Sequence, residues 1–288
     1  MRRLSVVLHL KRINGRTQVW PKTPDLCRID GKELLLVMKT YFDGSWGNDD
    51  NGDNWITLAG IAGTDEVWAS FDQKWKAMLA NRYPVAPYIH MIELLGNDDP
   101  FESEAGWDFD KKQSLIQDAI VLLSQVNKEE FRMARCSINE SARHRLSLEG
   151  IAVVPDPLKE CAGGCLTLTA GVYSENVPET HKEPLYVFYD RGERFLSKFK
   201  QGWLEKRTRP GKTKNPNNWW DQFADVQDLE LPFHAPLQVA DMIAWSHTRK
   251  LSERERPFSY LKEWLLKVIP SSTIDIDEKF MRANAHIL

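Results

Sequence analysis

Three aspartates stand where a carboxylate is costly. Lys39-Thr40-Tyr41-Phe42 runs into Asp43, and Leu185-Tyr186-Val187-Phe188-Tyr189 runs into Asp190. Both runs carry the β-branched and aromatic residues of a buried strand, and a glycine follows each acid closely (Gly44, Gly192). Asp241 interrupts the apolar helix Leu237-Gln238-Val239-Ala240-Asp241-Met242-Ile243-Ala244-Trp245. An acid in such surroundings needs a partner or a metal, and three of them, far apart in sequence, point to one convergent site. Together they make an all-oxygen site suited to Mg²⁺ or Mn²⁺. Two such ions activate a water and stabilise the leaving oxygen of a phosphodiester.

Glu93, in Ile89-His90-Met91-Ile92-Glu93-Leu94, is a fourth candidate, as ligand or base. His90 lies three residues before it and shares its face if a helix begins there. It is suited to orienting a water, relaying a proton or binding a product phosphate. Gln238 precedes Asp241 by three, so both face one side of their helix, where Gln238 can hydrogen-bond a metal-bound water or a ligand. Ordinary readings exist for each acid. Asp43 fits a turn at Gly44, Asp190 fits an N-cap of the helix from Glu193, and Glu93 fits a solvated helix start. Asp241 is the hardest to explain away, because five of its six nearest neighbours are apolar.

Lys206, Arg207, Arg209, Lys212 and Lys214 crowd one loop, with Trp219 and Trp220 just after. Basic residues beside aromatics suit phosphate contact and base stacking, although charged loops are often only solvated. Asp49-Asp50-Asn51-Gly52-Asp53 lacks the spacing and terminal glutamate of a calcium loop and reads as a hairpin tip. Cys161 and Cys165 have no second pair to complete a zinc site and read as packing thiols of a reduced, cytoplasmic protein. No P-loop, GxGxxG or GxSxG is present.

The elements that must position these residues follow from periodicity. Residues 1–37 lack sustained periodicity and read as an extension, poorly ordered or translated from upstream of the true start. A single domain spans 38–288. Strands are expected at 40–46 and 55–63, a helix capped by Thr64 or Asp65 over 66–79, a long helix at 109–126 and a strand at 131–138. A helix from Pro157 follows, with Gly163-Gly164 its weak point, then the strand at 185–190 and a helix from Glu193. A short strand at 223–226 and the Asp241 helix come next, and helices at 257–268 and 275–284 close the chain. This is an α/β or α+β order. A net charge of −3 imposes no global basic field. No apolar run approaches the roughly 20 residues of a membrane span.

Tyr41-Phe42-Asp43-Gly44-Ser45, the Leu58-Ala59-Gly60 strand and the helix with Trp68 resemble the opening of the domain of unknown function 3800 family. Pro236-Leu237-Gln238-Val239-Ala240-Asp241 resembles its closing Leu-Gln-x-Ala-Asp helix. Ile89–Glu93 and Val187–Asp190 are similar to its middle positions, more loosely. The resemblance covers about 38–250. It implies a ribonuclease H-like fold: a mixed five-stranded sheet, its first three strands antiparallel, flanked by helices. It also implies a phage, mobile-element or bacterial setting, and acids at Asp43, Glu93, Asp190 and Asp241. Gly44 departs from the pattern, standing where the family commonly has Glu. The resulting expectation is a Mg²⁺- or Mn²⁺-dependent nuclease acting on nucleic acid. Asp43, Asp190 and Asp241 would be its ligands, Glu93 a fourth ligand or base, His90 and Gln238 would assist, and the 206–220 loop would meet substrate. The rival is a non-catalytic ribonuclease H-like binding module, and small-molecule phosphate chemistry ranks last.

Overall fold

The computed structural model describes residues 8–13, 16–21, 38–96, 98–127, 130–176, 185–198, 200, 223–247 and 255–285. The described part of the leading 37 residues is a hairpin of its own. Strands β1 (Leu8–Ile13) and β2 (Arg16–Pro21) pair antiparallel as a separate two-stranded sheet.

The main sheet has six strands in the order β7-β6-β3-β4-β5-β8. They are β3 (Met38–Asn48), β4 (Asn54–Thr64), β5 (Arg132–Asn139), β6 (Leu185–Asp190), β7 (Phe223–Leu229) and β8 (Ser271–Ile276). The β3–β4 and β4–β5 pairs are antiparallel; β3–β6, β6–β7 and β5–β8 are parallel. The Asp49 carboxylate closes the first hairpin, accepting from the amides of Asn51 and Asp53 and from the Trp55 indole. The acidic run at 49–53 is therefore a hairpin tip.

The sixth strand corrects the expectation of five strands and of a helix over 275–284. The segment Ser271-Ser272-Thr273-Ile274-Asp275-Ile276 is β-branched and alternating, and it adds to the β5 edge. The closing helix is confined to Glu278–Asn284.

Helices cover both faces, as the nearly continuous burial of β4 requires. One face carries α1 (Asp65–Ala80), α2 (Met91–Gly96), α3 (Phe109–Ser124), α6 (Ala235–Ser246) and α7 (Tyr260–Val268). Their apolar side chains form one core with Tyr41, Ala59, Ile61 and Met133. The other carries α4 (Glu140–Leu148), α5 (Pro157–Asn176), the helical turn at 194–198 and α8 (Glu278–Asn284), packed on Phe42, Leu58, Cys136, Val187 and Tyr189. Thr64 caps α1, its hydroxyl accepting from the Val67 amide. Helix α4 has no strong apolar stripe, burying only Ala142 and Leu146, so periodicity does not announce it. Its start is fixed by Asn139, which accepts from the Ala142 amide at 2.7 Å.

Gly164 does not break α5. A Cβ there would lie 2.9 Å from Cys136 Sγ, so the glycine is where the helix comes closest to β5. Cys161 and Cys165 are buried in the same interface and donate to the carbonyls of Cys136 and Leu58. They are packing thiols. Among the described residues no helix is long and apolar enough to cross a membrane.

Candidate functional site

The site begins with strand register. Phe42 of β3 pairs with Tyr189 of β6 in a parallel ladder, and Asp43 and Asp190 are the next residue on each strand. Side chains alternate along a strand. Tyr41 and Phe188 stack at 5.0 Å on the α6 face, while Phe42 and Tyr189 enter the opposite core. The same alternation returns Asp43 and Asp190 to the α6 face, just past the last pair of the parallel β3–β6 ladder: Asp190 closes β6, and Asp43 lies midway along β3. Open α/β sheets gather ligands at the carboxyl ends of parallel strands such as β6.

Helix α6 crosses β3 and β4 on that face. Every residue from Ala235 to Trp245 is buried, and Pro236 sits in its first turn, where the missing amide proton costs nothing. Asp241, 4% exposed, is thereby held against Asp43, 7% exposed. The two carboxyls are close enough that each acts on the other's ionisation. Asp43 Oδ1 also accepts from the Gly44 amide at 2.7 Å, and Asp241 Oδ2 accepts from the Met91 amide at 2.6 Å. Burial drives the Asp43 carboxyl well above the usual carboxylate range, and the charges of Asp241, Asp190 and Glu193 add to the rise. Asp241 is also raised by burial, to about 6, although His90, the Met91 amide and Asp43 favour its ionised form. Without a cation, two buried carboxyls this close resist being ionised together.

Asp190 is less enclosed. Its Oδ1 accepts from the Leu231 amide at 2.9 Å and its Oδ2 from the Gly192 amide at 3.2 Å, tying β6 to the 3₁₀ turn Leu231–Phe233. The N-cap role available to Asp190 falls instead to Glu193, which accepts from the amides of Phe195 and Leu196.

The segment 88–94 lies across α6 and is clipped to it. Gln238 Oε1 accepts from the Ile89 amide and from the Trp75 indole, both at 2.8 Å. Its Nε2 donates to the carbonyls of Leu231 and Pro232. Every donor and acceptor of this buried amide is used within the protein. The expected role of Gln238, binding a metal-bound water or a ligand, is therefore corrected: it holds the segment that carries His90. Glu93 also differs from its expected place as a fourth ligand. Its Oε2 accepts from the Tyr88 hydroxyl at 2.7 Å and its Oε1 lies 3.1 Å from His90 Nδ1. Glu93 reaches the aspartates through His90. Burial opposes the imidazolium, but Asp241, Glu93 and Asp190 outweigh it and raise the His90 pKa.

Two participants escape sequence reading. Tyr88 precedes His90 without any motif. Glu193 looks like an ordinary helix-start acid, yet it is buried, which lifts its carboxyl to about 7 against the pull of its two amides. Glu193 also accounts for Gly44. A Cβ at 44 would fall 2.6 Å from the Phe195 ring and 3.2 Å from Glu193 Oε1, so the space for a second carboxylate on β3 is filled from β6's side. Lys206, Arg207, Arg209, Lys212, Lys214, Trp219 and Trp220 lie outside the described residues. Among the described residues no group of three or more His, Cys, Asp or Glu side chains stands ready-made as a metal cage. What the structure does assemble is a buried aspartate pair, Asp190 and Glu193 within its electrostatic reach, and an imidazole backed by a glutamate. Chemically, this is a proton-holding oxygen site of the kind that exchanges protons for a hard cation. No family model, curated protein or solved structure matches the chain.

Proposed function

We propose that this protein is a Mg²⁺- or Mn²⁺-dependent phosphodiester hydrolase acting on nucleic acid, built on a ribonuclease H-like sheet and related to the domain of unknown function 3800 family. The observation that carries the reading is the buried Asp43–Asp241 pair beside Asp190, the two aspartates of the sheet lying side by side on adjacent parallel strands. The strand order supports the fold assignment: β5-β4-β3-β6-β7 has three antiparallel strands followed by two parallel ones, and β8 is added at one edge. The donor set supports the metal. All its atoms are carboxylate oxygens, and burial gives two of the groups a raised proton affinity that a divalent ion would offset.

Asp43, Asp241 and Asp190 would hold the ion, with Glu193 adding negative charge behind Asp43. The bound ion supplies Lewis-acid polarisation of the phosphodiester and of a water. Gln238 and the Asp241 carboxylate hold the backbone on either side of His90 against α6. The basic residues and two tryptophans of the segment 206–220 would supply cations and indoles for the polyanion and its bases.

The test is incubation with single- and double-stranded DNA and RNA, with and without Mn²⁺. Cleavage is expected only with the ion, and Asp43→Asn and Asp241→Asn should each abolish it while the fold persists. Unchanged cleavage in both variants would sink the proposal. The crowding of position 44 by Phe195 and Glu193 favours one second reading, a binding module. That reading expects nucleic acid to be retained without Mn²⁺ and never cut.

A further inference from the structure

We propose that Tyr88 and Glu93 are positioning residues for His90, fixing its ring so that Nε2 is the atom presented to the Asp43–Asp241 pair. This rests on the hydrolase reading of that pair.

The geometry is a chain of polar contacts from Tyr88 through Glu93 to His90. The Tyr88 hydroxyl donates to Glu93 Oε2 at 2.7 Å, and Glu93 Oε1 meets His90 Nδ1 at 3.1 Å. Both glutamate oxygens are thus committed to holding a side chain. A carboxylate on Nδ1 requires the proton to be there, which leaves Nε2 as the free ring nitrogen. Tyr88 is itself anchored, its ring edge-on to the buried Phe101 at 5.8 Å, and Phe101 in turn packs on Trp107.

The backbone is held as firmly as the ring. The amide on either side of His90 is bound by α6: Ile89 by Gln238 and Met91 by Asp241. Residues three apart on one helix face match two amides two apart on an extended segment. The His90 carbonyl accepts from the Leu94 amide at 2.8 Å and starts α2. The charged groups facing His90 are Asp241, Glu93 and Asp190. The ring is therefore held by a glutamate, one residue from the amide that binds Asp241. Glu93 is by this argument no metal ligand, and Tyr88 acquires a role that no motif signals.

Proton NMR of ¹⁵N-histidine-labelled protein tests the orientation directly. A slowly exchanging Nδ1–H signal of His90 is expected, absent in His90→Ala and lost in Glu93→Gln. Calorimetric titration with Mn²⁺ and cleavage kinetics test the role. Glu93→Gln should lower kcat by about 10–100-fold, as loss of such supporting partners typically does, and Tyr88→Phe by less. Both should leave KM and the Mn²⁺ affinity within about twofold of the parent. Glu93→Gln weakening Mn²⁺ binding as strongly as Asp43→Asn would overturn the proposal, because Glu93 would then be a ligand. Persistence of the Nδ1–H signal in Glu93→Gln would overturn it equally. If the parent protein cleaves no nucleic acid, the hydrolase reading falls, and the NMR arm still decides whether Glu93 orients His90.

Discussion

Replacing Asp241 by Asn should make the cation-free protein more stable at neutral pH, and the size of the gain follows from the site. Asn keeps the shape, can still accept from the Met91 amide and can donate to Asp43, but it carries no charge to bury. Asp241 rises from 3.8 to about 6 on folding, burial being the largest cause. A carboxyl with a raised folded pKa binds more protons in the native than in the unfolded state across that window, so stability falls as pH rises from about 4 to about 6 and stays lower above it. At 1.36 kcal/mol per pKa unit the loss is about 3 kcal/mol. Parent and variant should therefore have equal stability near pH 3.5 and differ by about 3 kcal/mol at pH 8 in a chelator. In a chain of this size that is roughly 6–12 °C in Tm. Added Mn²⁺ should reverse the order. A ligand at one hundred times its Kd stabilises the parent by about 2.7 kcal/mol and does nothing for a variant that cannot hold it. The assay is thermal or urea unfolding at both pH values, with chelator and with Mn²⁺. An Asp241→Asn protein less stable than the parent at pH 8 in chelator would refute the reasoning, since the carboxylate would then be contributing stability without a cation.

Two further outcomes follow from the same contacts. Gln238→Leu should cost about 2–5 kcal/mol in urea unfolding, because it strands the Trp75 indole and the Ile89 amide in the core; it should also lower cleavage by loosening the His90 segment. Gly44→Ala should destabilise by about 1–3 kcal/mol, since its methyl would lie 2.6 Å from the Phe195 ring. Pairing it with Phe195→Leu should recover part of that loss, and a Gly44→Ala protein as stable as the parent would show that the contact is not tight.

How much was legible depended on the range of the interaction. The paired strands at 40–46 and 55–63, the Thr64-capped helix and the long helix from Phe109 all follow from alternation, caps and spacing within a dozen residues, and the structure has them at nearly those bounds. Helix α4 and strand β8 were not legible. The first is polar almost all round and the second is short, and each is stabilised by where it packs more than by its own pattern.

The same division runs through the site. Sequence alone singled out Asp43, Asp190 and Asp241, because an acid at the end of an apolar run or inside one is a local anomaly with a known cost. It also placed Asp241 and Gln238 on one helix face and His90 beside Glu93. Only the tertiary structure decided what each side chain touches. Parallel pairing of β3 with β6 set Asp43 and Asp190 side by side on adjacent strands, and the crossing of α6 put Asp241 against Asp43. The register of residues 88–94 on α6 consumed the Gln238 amide, and Glu93 was engaged by Tyr88 and His90. Gly44 acquires its reason in the same way, from a phenylalanine and a glutamate about 150 residues further along the chain. A sequence records the cost of burying a polar group, whereas the partner that offsets the cost is chosen by chain segments that meet only on folding.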